Sequence, residues 1–282
     1  MSKNDFSIQE VFGGGLTEVA PVSELRVDGK KDEKLKKVLY PSILLAVLIV
    51  LWEVCVLAFG MPQTVLPSPF SVARALAVNF KSLILPELIF TLEIIAAGYT
   101  ISVLAGFLLA ALCSQSRLLA RSAAPLAVMF MVTPTIILIP IFMVFLGFSP
   151  IVRIIVVVLQ CVPIIMLNTL TGFMSIEPQQ REMLAAHGCS RRQILTKFTI
   201  FNAMPQIFTG LKIGCVISTI AALGADFAMG KEGLGYRIKI SSSMVAIDMV
   251  FATIIVAALV GIVMFEIVSF IERRVIVWKR GG

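Results

Sequence analysis

The chain has 282 residues, of which 58% are hydrophobic and 15% are charged, and its mean hydropathy is +0.97. Soluble domains average about 45–50% apolar and about 25% charged residues, so this composition excludes an ordinary soluble protein and indicates an integral membrane protein. The formal net charge of +7 is attributed to membrane topology and not to nucleic-acid binding.

The first 37 residues are polar and lie before the first long apolar segment. A secretory signal peptide would place its apolar core nearer to the start, so we predict none. We predict a mostly disordered cytoplasmic tail over 1–37, with some helix near the membrane. Its basic end, KKDEKLKK, can either contact anionic lipid headgroups or act only as an orientation signal.

Six apolar segments follow, each close to the ~20 residues that cross a bilayer as a helix. Pro125, Pro134 and Pro140 fall in the third segment, which fits either a bundle around a solute path or ordinary kinked packing. We therefore predict an all-α, polytopic membrane protein with about six transmembrane helices in one domain, residues 38–280. The predicted spans are 38–60, 87–113, 121–146, 150–173, 206–229 and 249–271.

The distribution of basic residues predicts the orientation of these spans. With the N-terminus inside, the cytoplasmic segments carry 17 Lys and Arg residues and the external segments carry 5. Cytoplasmic loops are enriched in Lys and Arg, so this asymmetry predicts that both termini are cytoplasmic. It also places the polar segment 177–205 in the cytoplasm and 230–248 outside.

The segment 177–205, called the hairpin below, is polar although apolar spans flank it. Pro178 suits the first turn of a helix, and Gly188 suits the left-handed residue that ends one. Ser190 and Gln193 have the spacing of a capping box that starts a second helix. The pattern therefore predicts a helix, a glycine turn and another helix.

The predicted second helix of the hairpin is amphipathic. Its apolar residues recur at i, i+4 and i+7, and its basic residues point elsewhere. A DNA-reading role is excluded because spans tether both ends of the hairpin and leave little room for a duplex. A structural cap for the bundle and a docking element for a soluble partner both remain. The apolar stripe is Ile194, Phe198 and Phe201, and the basic residues are Arg191, Arg192 and Lys197.

The hairpin resembles the cytoplasmic EAA loop of ABC-transporter permeases. That loop has the pattern E-A-A, three residues, Gly, nine residues, then I-x-L-P. Glu182 holds the acidic position and Gly188 the glycine, while Met183 and Leu184 replace the two alanines. At the end of the motif, Phe198, Ile200 and Phe201 stand where Ile, Leu and Pro are usual.

Further segments, in matching order over about residues 40–280, resemble the nitrate/sulfonate/taurine-type permeases. The stretch from MPQIFTGLKIG to GLGYRI is similar to the branch that carries pyrimidine-type thiamine precursors. The matching segments are LPSP at 66–69, TPTIILIPIFMVFLGF at 133–148, MPQIFTGLKIG at 204–214, GLGYRI at 233–238 and ERR at 272–274 with Trp278.

The resemblance implies a permease subunit of an ATP-driven importer in a bacterial inner membrane. Two permease subunits, as a homodimer or a heterodimer, would form the pathway for a small solute. Two cytoplasmic ATP-binding subunits would each receive one EAA loop in a groove, and an external or periplasmic binding protein would deliver the solute. The residues implied in coupling to the ATPase are Glu182, Met183, Leu184, Ala185, Gly188, Ser190 and Arg191.

We predict no catalytic, cofactor or metal site in this chain. The stretch GADFAMGKE at 224–232 has five residues between its glycines and Glu after Lys, whereas a P-loop needs four residues and Ser or Thr. His187, the single histidine, has no Ser or Asp constellation for hydrolysis. The five cysteines are dispersed without a CxxC pair, which argues against a zinc site or a disulfide framework.

Charged and polar residues within the spans are candidates for the solute pathway, because charges are costly there. Asp226 can either line a pathway or gate, or pair with another side chain. A secondary transporter or channel driven by an ion gradient would also explain intramembrane acids, and a purely structural subunit is a third possibility. The sequence does not identify the solute. The pathway candidates are Asp226, Glu93, Thr133, Gln160 and Asn168.

Overall fold

A computed structural model describes residues 29–176, 178–190 and 193–277. Most of the predicted tail lies outside these ranges, as do Arg191 and Trp278. All regular elements in the described part are helices. The chain divides into two units, residues 1–58 and residues 59–282.

The first unit contains one described helix, α1, Gly29–Ala58. The helix begins before the apolar segment, so residues 29–37 of the predicted tail are helical. Its apolar part, Ser42–Ala58, is shorter than the ~20 residues that cross a bilayer.

The second unit contains nine described α-helices and two π-helical turns. One π-turn, Phe80–Ile84, joins α2 to α3, and the other, Ile194–Thr199, precedes α8. The helices are α2 Pro69–Asn79, α3 Leu85–Cys113, α4 Arg117–Val132, α5 Thr135–Leu146, α6 Pro150–Met174, α7 Pro178–Ala186, α8 Ile200–Met229, α9 Leu234–Ser243 and α10 Ile247–Val275.

The core of this unit is α6 packed between α3 and α8. Gly98 and Gly106 lie on a buried small-residue stripe of α3, and a Cβ at either position would overlap Val157 or Ile165 of α6. Small residues let membrane helices approach closely. The second contact is eight residues farther along both helices than the first, so α3 and α6 run parallel.

Helix α8 packs antiparallel to α6. Gly172 of α6 lies against Ala203 near the start of α8, whereas Ile165 lies against Gly214 farther along. The start of α8 therefore lies beside the end of α6, and the two ends of the bundle can be distinguished. We call the one beside the hairpin the hairpin end and the opposite one, where α6 begins at Pro150, the Arg153 end.

Four described helical stretches are long and apolar enough to cross a membrane, and the α4–α5 pair would make a fifth. The four are Pro69–Cys113, Pro150–Met174, Ile194–Met229 and Ile247–Val275. This agrees with a polytopic, all-helical protein, and the count of six stays a prediction.

The predicted span over 121–146 is divided into two helices. Helices α4 and α5 bend by 83° at a short break between them. Pro134 explains the position of the break, because proline disfavours helical geometry in the preceding residue and has no N–H to donate. Thr133 is accordingly extended, with φ −67° and ψ 121°.

Candidate functional site

A buried ion pair lies at the Arg153 end of the bundle. Asp226 of α8 and Arg153 of α6 are 0% and 1% exposed, and Oδ1 lies 3.1 Å from Nε. The other carboxylate oxygen, Oδ2, accepts a hydrogen bond of 2.7 Å from the Thr91 hydroxyl of α3. Arg153 also stacks over the ring of Phe90, 4.7 Å from its centroid. The pair therefore ties together three helices.

The start of α9 docks on the same group of side chains. The Gly233 N–H donates to Glu87 Oε2 at 2.6 Å, and the Leu234 N–H donates to the Thr91 hydroxyl at 2.8 Å. Arg237 completes the contact with a 3.2 Å ion pair to Glu87. The first N–H groups of a helix lack intrahelical partners, and here α3 supplies them. We call Glu87, Thr91, Arg153, Asp226 and Arg237 the Asp226 cluster.

Two glycines permit this close approach. Gly233 has φ +97°, and a Cβ on it would overlap the carboxylate of Asp226. A Cβ on Gly235 would overlap the Leu223 carbonyl of α8. The GLGYRI segment therefore places its backbone directly on α8, which a side chain at either glycine would prevent.

The pathway residues predicted from the sequence lie in different places. Asp226 is in the cluster just described, and its contacts favour the pairing alternative. Glu93 is exposed on α3. Asn168 is half-buried and donates to the Ile164 carbonyl of its own helix, at 2.8 Å.

The other two pathway candidates lie at the break between α4 and α5. Thr133 is exposed, and its hydroxyl donates to the Met129 carbonyl at 2.8 Å. The Gln160 amide of α6 donates to the hydroxyl of Thr135, the first residue of α5. The structure thus brings Gln160 close to the segment that contains Thr133.

Sequence reasoning missed Glu87, Thr91 and Arg153 as members of a site. Arg153 carried a usable signal, because an arginine inside an apolar span is costly and normally has a partner. The sequence alone gave no means of pairing it with Asp226, which lies 73 positions later on another helix.

At the opposite end, the turn of the hairpin has the predicted geometry. Gly188 is left-handed, with φ +81°. The Cys189 N–H donates to the Leu184 carbonyl at 3.1 Å and the Gly188 N–H to the Ala185 carbonyl at 3.0 Å, which is a Schellman motif. The capping box is also confirmed, since Ser190 and Gln193 exchange hydrogen bonds of 2.8 and 3.3 Å.

The second helix of the hairpin differs from the prediction. It is not a separate short helix, because the π-turn Ile194–Thr199 continues directly into α8. The predicted apolar stripe is also wrong, since Ile194 is 7% exposed whereas Phe198 and Phe201 are 41% and 51% exposed. A π-turn bonds at i+5, so the residue buried with Ile194 is Thr199.

Most of the residues implied in coupling are accessible. Glu182, Met183, Ala185, Gly188 and Ser190 are exposed, and Leu184 is half-buried. Met183, Leu184 and Phe198 help to line a shallow groove of about 290 Å³ between α7 and the start of the next span. The arrangement presents an apolar groove beside a carboxylate, which suits docking of another protein better than catalysis.

Residues 102–277 match the family model of the binding-protein-dependent transport system inner membrane component. The chain belongs to this family. It is a multi-pass membrane permease subunit of an ATP-driven importer that translocates a small solute. An ion-gradient transporter or channel is not supported.

Curated relatives agree with this family. The permease is 30% identical to the formylaminopyrimidine transport permease ThiX of Halalkalibacterium halodurans, over 86% of this chain and 96% of that one. It is 26% identical to the putative aliphatic sulfonates transport permease SsuC of Bacillus subtilis, over 84% and 86%. It is 24% identical to the nitrate import permease NrtB of Synechocystis sp., over 85% and 90%.

Proposed function

We propose that the hairpin seats in a groove of a cytoplasmic ATP-binding subunit and passes its movement to the spans. The observation that carries this proposal is the continuity of the helical stretch Ile194–Met229, which has 36 residues. At about 1.5 Å per residue, this stretch is roughly 54 Å long. It has the hairpin at one end and Asp226 at the other, so a displacement of the hairpin acts on the Asp226 cluster through one helix.

The proposal gives each hairpin residue a role. Glu182 faces a basic group of the ATP-binding subunit, because it is an exposed carboxylate beside the groove. Met183 and Leu184 fill apolar space in the partner where smaller alanines are usual in the family. Gly188 and Ser190 set the turn. Ala185 and Arg191 complete the contact surface.

The wider assembly is part of the same proposal. Two copies of this permease, or this chain with a second permease, enclose the path, and an external binding protein delivers the solute. The partner hydrolyses ATP. The tail over 1–37 precedes a permease domain over 38–280 with six spans, and both termini and the hairpin end are cytoplasmic, as the excess of basic residues supports.

The coupling role is tested by Gly188→Val and Glu182→Lys in the complete transporter. Valine at the left-handed position strains the turn, and lysine reverses the charge at the groove. Both variants should reach the membrane at normal abundance, while co-purification of the ATP-binding subunit and solute uptake fall together. Gly60→Val is the control, because Gly60 also has positive φ and open space around a Cβ but lies after α1, outside the hairpin.

The outcomes separate the two roles of the hairpin. Loss of ATPase association only in the hairpin variants supports coupling. Wild-type association and uptake in both hairpin variants would show that the hairpin is a passive cap.

For the solute, we propose a neutral or cationic pyrimidine of the thiamine-precursor type. The similarity to ThiX supports this choice. Charge supports it too, because Arg153 pairs with Asp226 and Lys212 pairs with Glu272 at 2.8 Å. These two basic residues of the described spans are therefore neutralised, whereas Glu93 is exposed.

Uptake by the reconstituted transporter with its binding protein tests this choice. Labelled formylaminopyrimidine should accumulate in an ATP-dependent manner, and nitrate and taurine should not. Uptake of an anion in preference to the pyrimidine would contradict the proposal.

A further inference from the structure

The break between α4 and α5 lies at mid-depth in the bundle. Thr135 is buried and bonded to Gln160, which lies close to the centre of the 25-residue helix α6, Pro150–Met174. A helix of that length extends about 37 Å, slightly more than the ~30 Å hydrocarbon core of a bilayer. Thr135 therefore lies near the middle of the hydrocarbon layer.

Helices α4 and α5 each pack against α6. Ala123 and Ala127 of α4 share a core cluster with Phe173, at the hairpin end of α6. Ile139 of α5 belongs to another cluster, which extends along α6 to Val152 at the Arg153 end. These two clusters favour one broken span over a loop that returns to the side from which it started.

The break leaves backbone polar groups without helical partners. Two backbone hydrogen bonds flank the break, from the Thr133 N–H to the Met129 carbonyl and from the Ile137 N–H to the Pro134 carbonyl. Pro134 has no N–H, so the Phe130 carbonyl loses its usual donor. The last carbonyls of α4 and the first N–H groups of α5 likewise have no partner within their own helices.

This segment is also open to its surroundings. Val132 is 76% exposed and Ile137 is 67% exposed, and Thr133 and Pro134 between them are exposed as well. Hydrocarbon cannot hydrogen-bond to free backbone groups, so non-helical backbone at this depth must be covered by protein or line a water-filled cavity.

We propose that residues 132–134 line the water-filled solute path at its mid-depth. The segment offers hydrogen-bond acceptors from the end of α4, donors from the start of α5 and the hydroxyl of Thr133. Residues 122–152 contain no charged side chain, so the path meets a polar solute here through neutral hydrogen-bonding groups. This inference rests on the permease function and is independent of the role of the hairpin.

Thiol labelling of the assembled transporter in lipid nanodiscs tests the inference. Val132→Cys and Thr133→Cys are treated with a charged methanethiosulfonate reagent, after replacement of the partly exposed Cys55, Cys113 and Cys189 by serine. Cys161 and Cys215 are buried and are retained. The reagent requires a thiolate, which forms in water and is suppressed in apolar surroundings.

Leu104→Cys is the matched control. Leu104 is 67% exposed on α3, and the contacts of Gly98 with Val157 and of Gly106 with Ile165 place it at a similar depth. We expect labelling at positions 132 and 133 to be about tenfold or more faster than at position 104. All three residues are on the surface of the unit, and size-exclusion chromatography verifies that each variant assembles.

Two results would overturn the inference. One is labelling at 132 and 133 that is no faster than at 104. The other is protection of both cysteines together with oxidative cross-linking of Val132→Cys between two copies, which would show that protein covers the break. The labelling rate is measured without any transport of solute. A failure of the permease function itself would therefore appear in a separate assay, as absence of solute uptake by the parent protein.

Discussion

The carboxylate of Asp226 and the guanidinium of Arg153 form a fully buried ion pair between α8 and α6. Their closest atoms, Oδ1 and Nε, are 3.1 Å apart but lack hydrogen-bond alignment. Burial of two charges has a large desolvation cost, and attraction offsets it only while both partners are present. The pair is therefore a point where loss of one side chain damages the whole end of the bundle.

We expect Asp226→Asn and Arg153→Met to lower the free energy of unfolding by about 3–5 kcal/mol each, because each leaves an uncompensated buried polar or charged group. The double variant Asp226→Leu with Arg153→Met should recover part of the loss. Thermal stability of the purified protein, followed by size-exclusion chromatography, measures the effect.

The control for this prediction is Glu266→Gln. Glu266 and Arg273 form a 3.7 Å pair in which both side chains are at least 60% exposed, and exposed pairs contribute about 0–1 kcal/mol. Single variants of Asp226 or Arg153 as stable as this control would show that the buried pair is dispensable.

We expect Gly233→Ala to disrupt docking of α9. Its backbone, with φ +97° and ψ 168°, is in a region used almost only by glycine, where other residues cost about 1–3 kcal/mol. The added Cβ also overlaps the Asp226 carboxylate. Gly60→Ala provides the comparison, since Gly60 has φ +57° and open space around a Cβ. A stability loss at Gly233 no larger than at Gly60 would contradict the steric argument.

We expect Gly106→Ala to separate α3 from α6. The new Cβ would lie 2.9 Å from Ile165 Cγ2, and overpacking of this kind typically costs about 1–3 kcal/mol. Gly261→Ala on α10 is the matched change, because its Cβ would come no closer than 3.9 Å to Thr219. The midpoints of thermal unfolding of the two variants are compared. Equal midpoints would show that the contact between α3 and α6 accommodates the added methyl group without loss of stability.

The two ends of α8 should lie on opposite sides of the membrane. A periplasm-dependent phosphatase fused after Gly230 should be active, and one fused after Gly188 should be inactive. A cytoplasm-dependent fluorescent protein should give the reverse result at both positions. Signals from the same side at both fusions would show that the span assignment is wrong.

Sequence reasoning succeeded where the signal is local. Long apolar segments predicted the positions of the main helices, and Gly188, Ser190 and Gln193 predicted the turn because their hydrogen bonds join near neighbours. It failed where the outcome depends on partners elsewhere. Pro125 and Pro140 lie inside helices whereas Pro134 separates two, and the sequence marks all three alike.

The Asp226 cluster was beyond sequence reasoning for the same reason. Its members come from α3, α6, α8 and α9, and Glu87 is 150 positions from Arg237. No repeat or spacing joins them. The predicted apolar stripe of the hairpin also failed, because the spacing of an α-helix was applied to residues that wind as a π-turn.

That π-turn sets the rotational phase between the hairpin and the span that follows it. A π-turn fits one more residue into a turn than an α-helix does, and each residue of an α-helix turns the chain by about 100°. If all six residues of Ile194–Thr199 wound as an α-helix instead, they would therefore turn the chain by about 100° more, and the hairpin would swing by that angle around the axis of α8. The π winding of this six-residue segment therefore fixes the direction in which the hairpin faces.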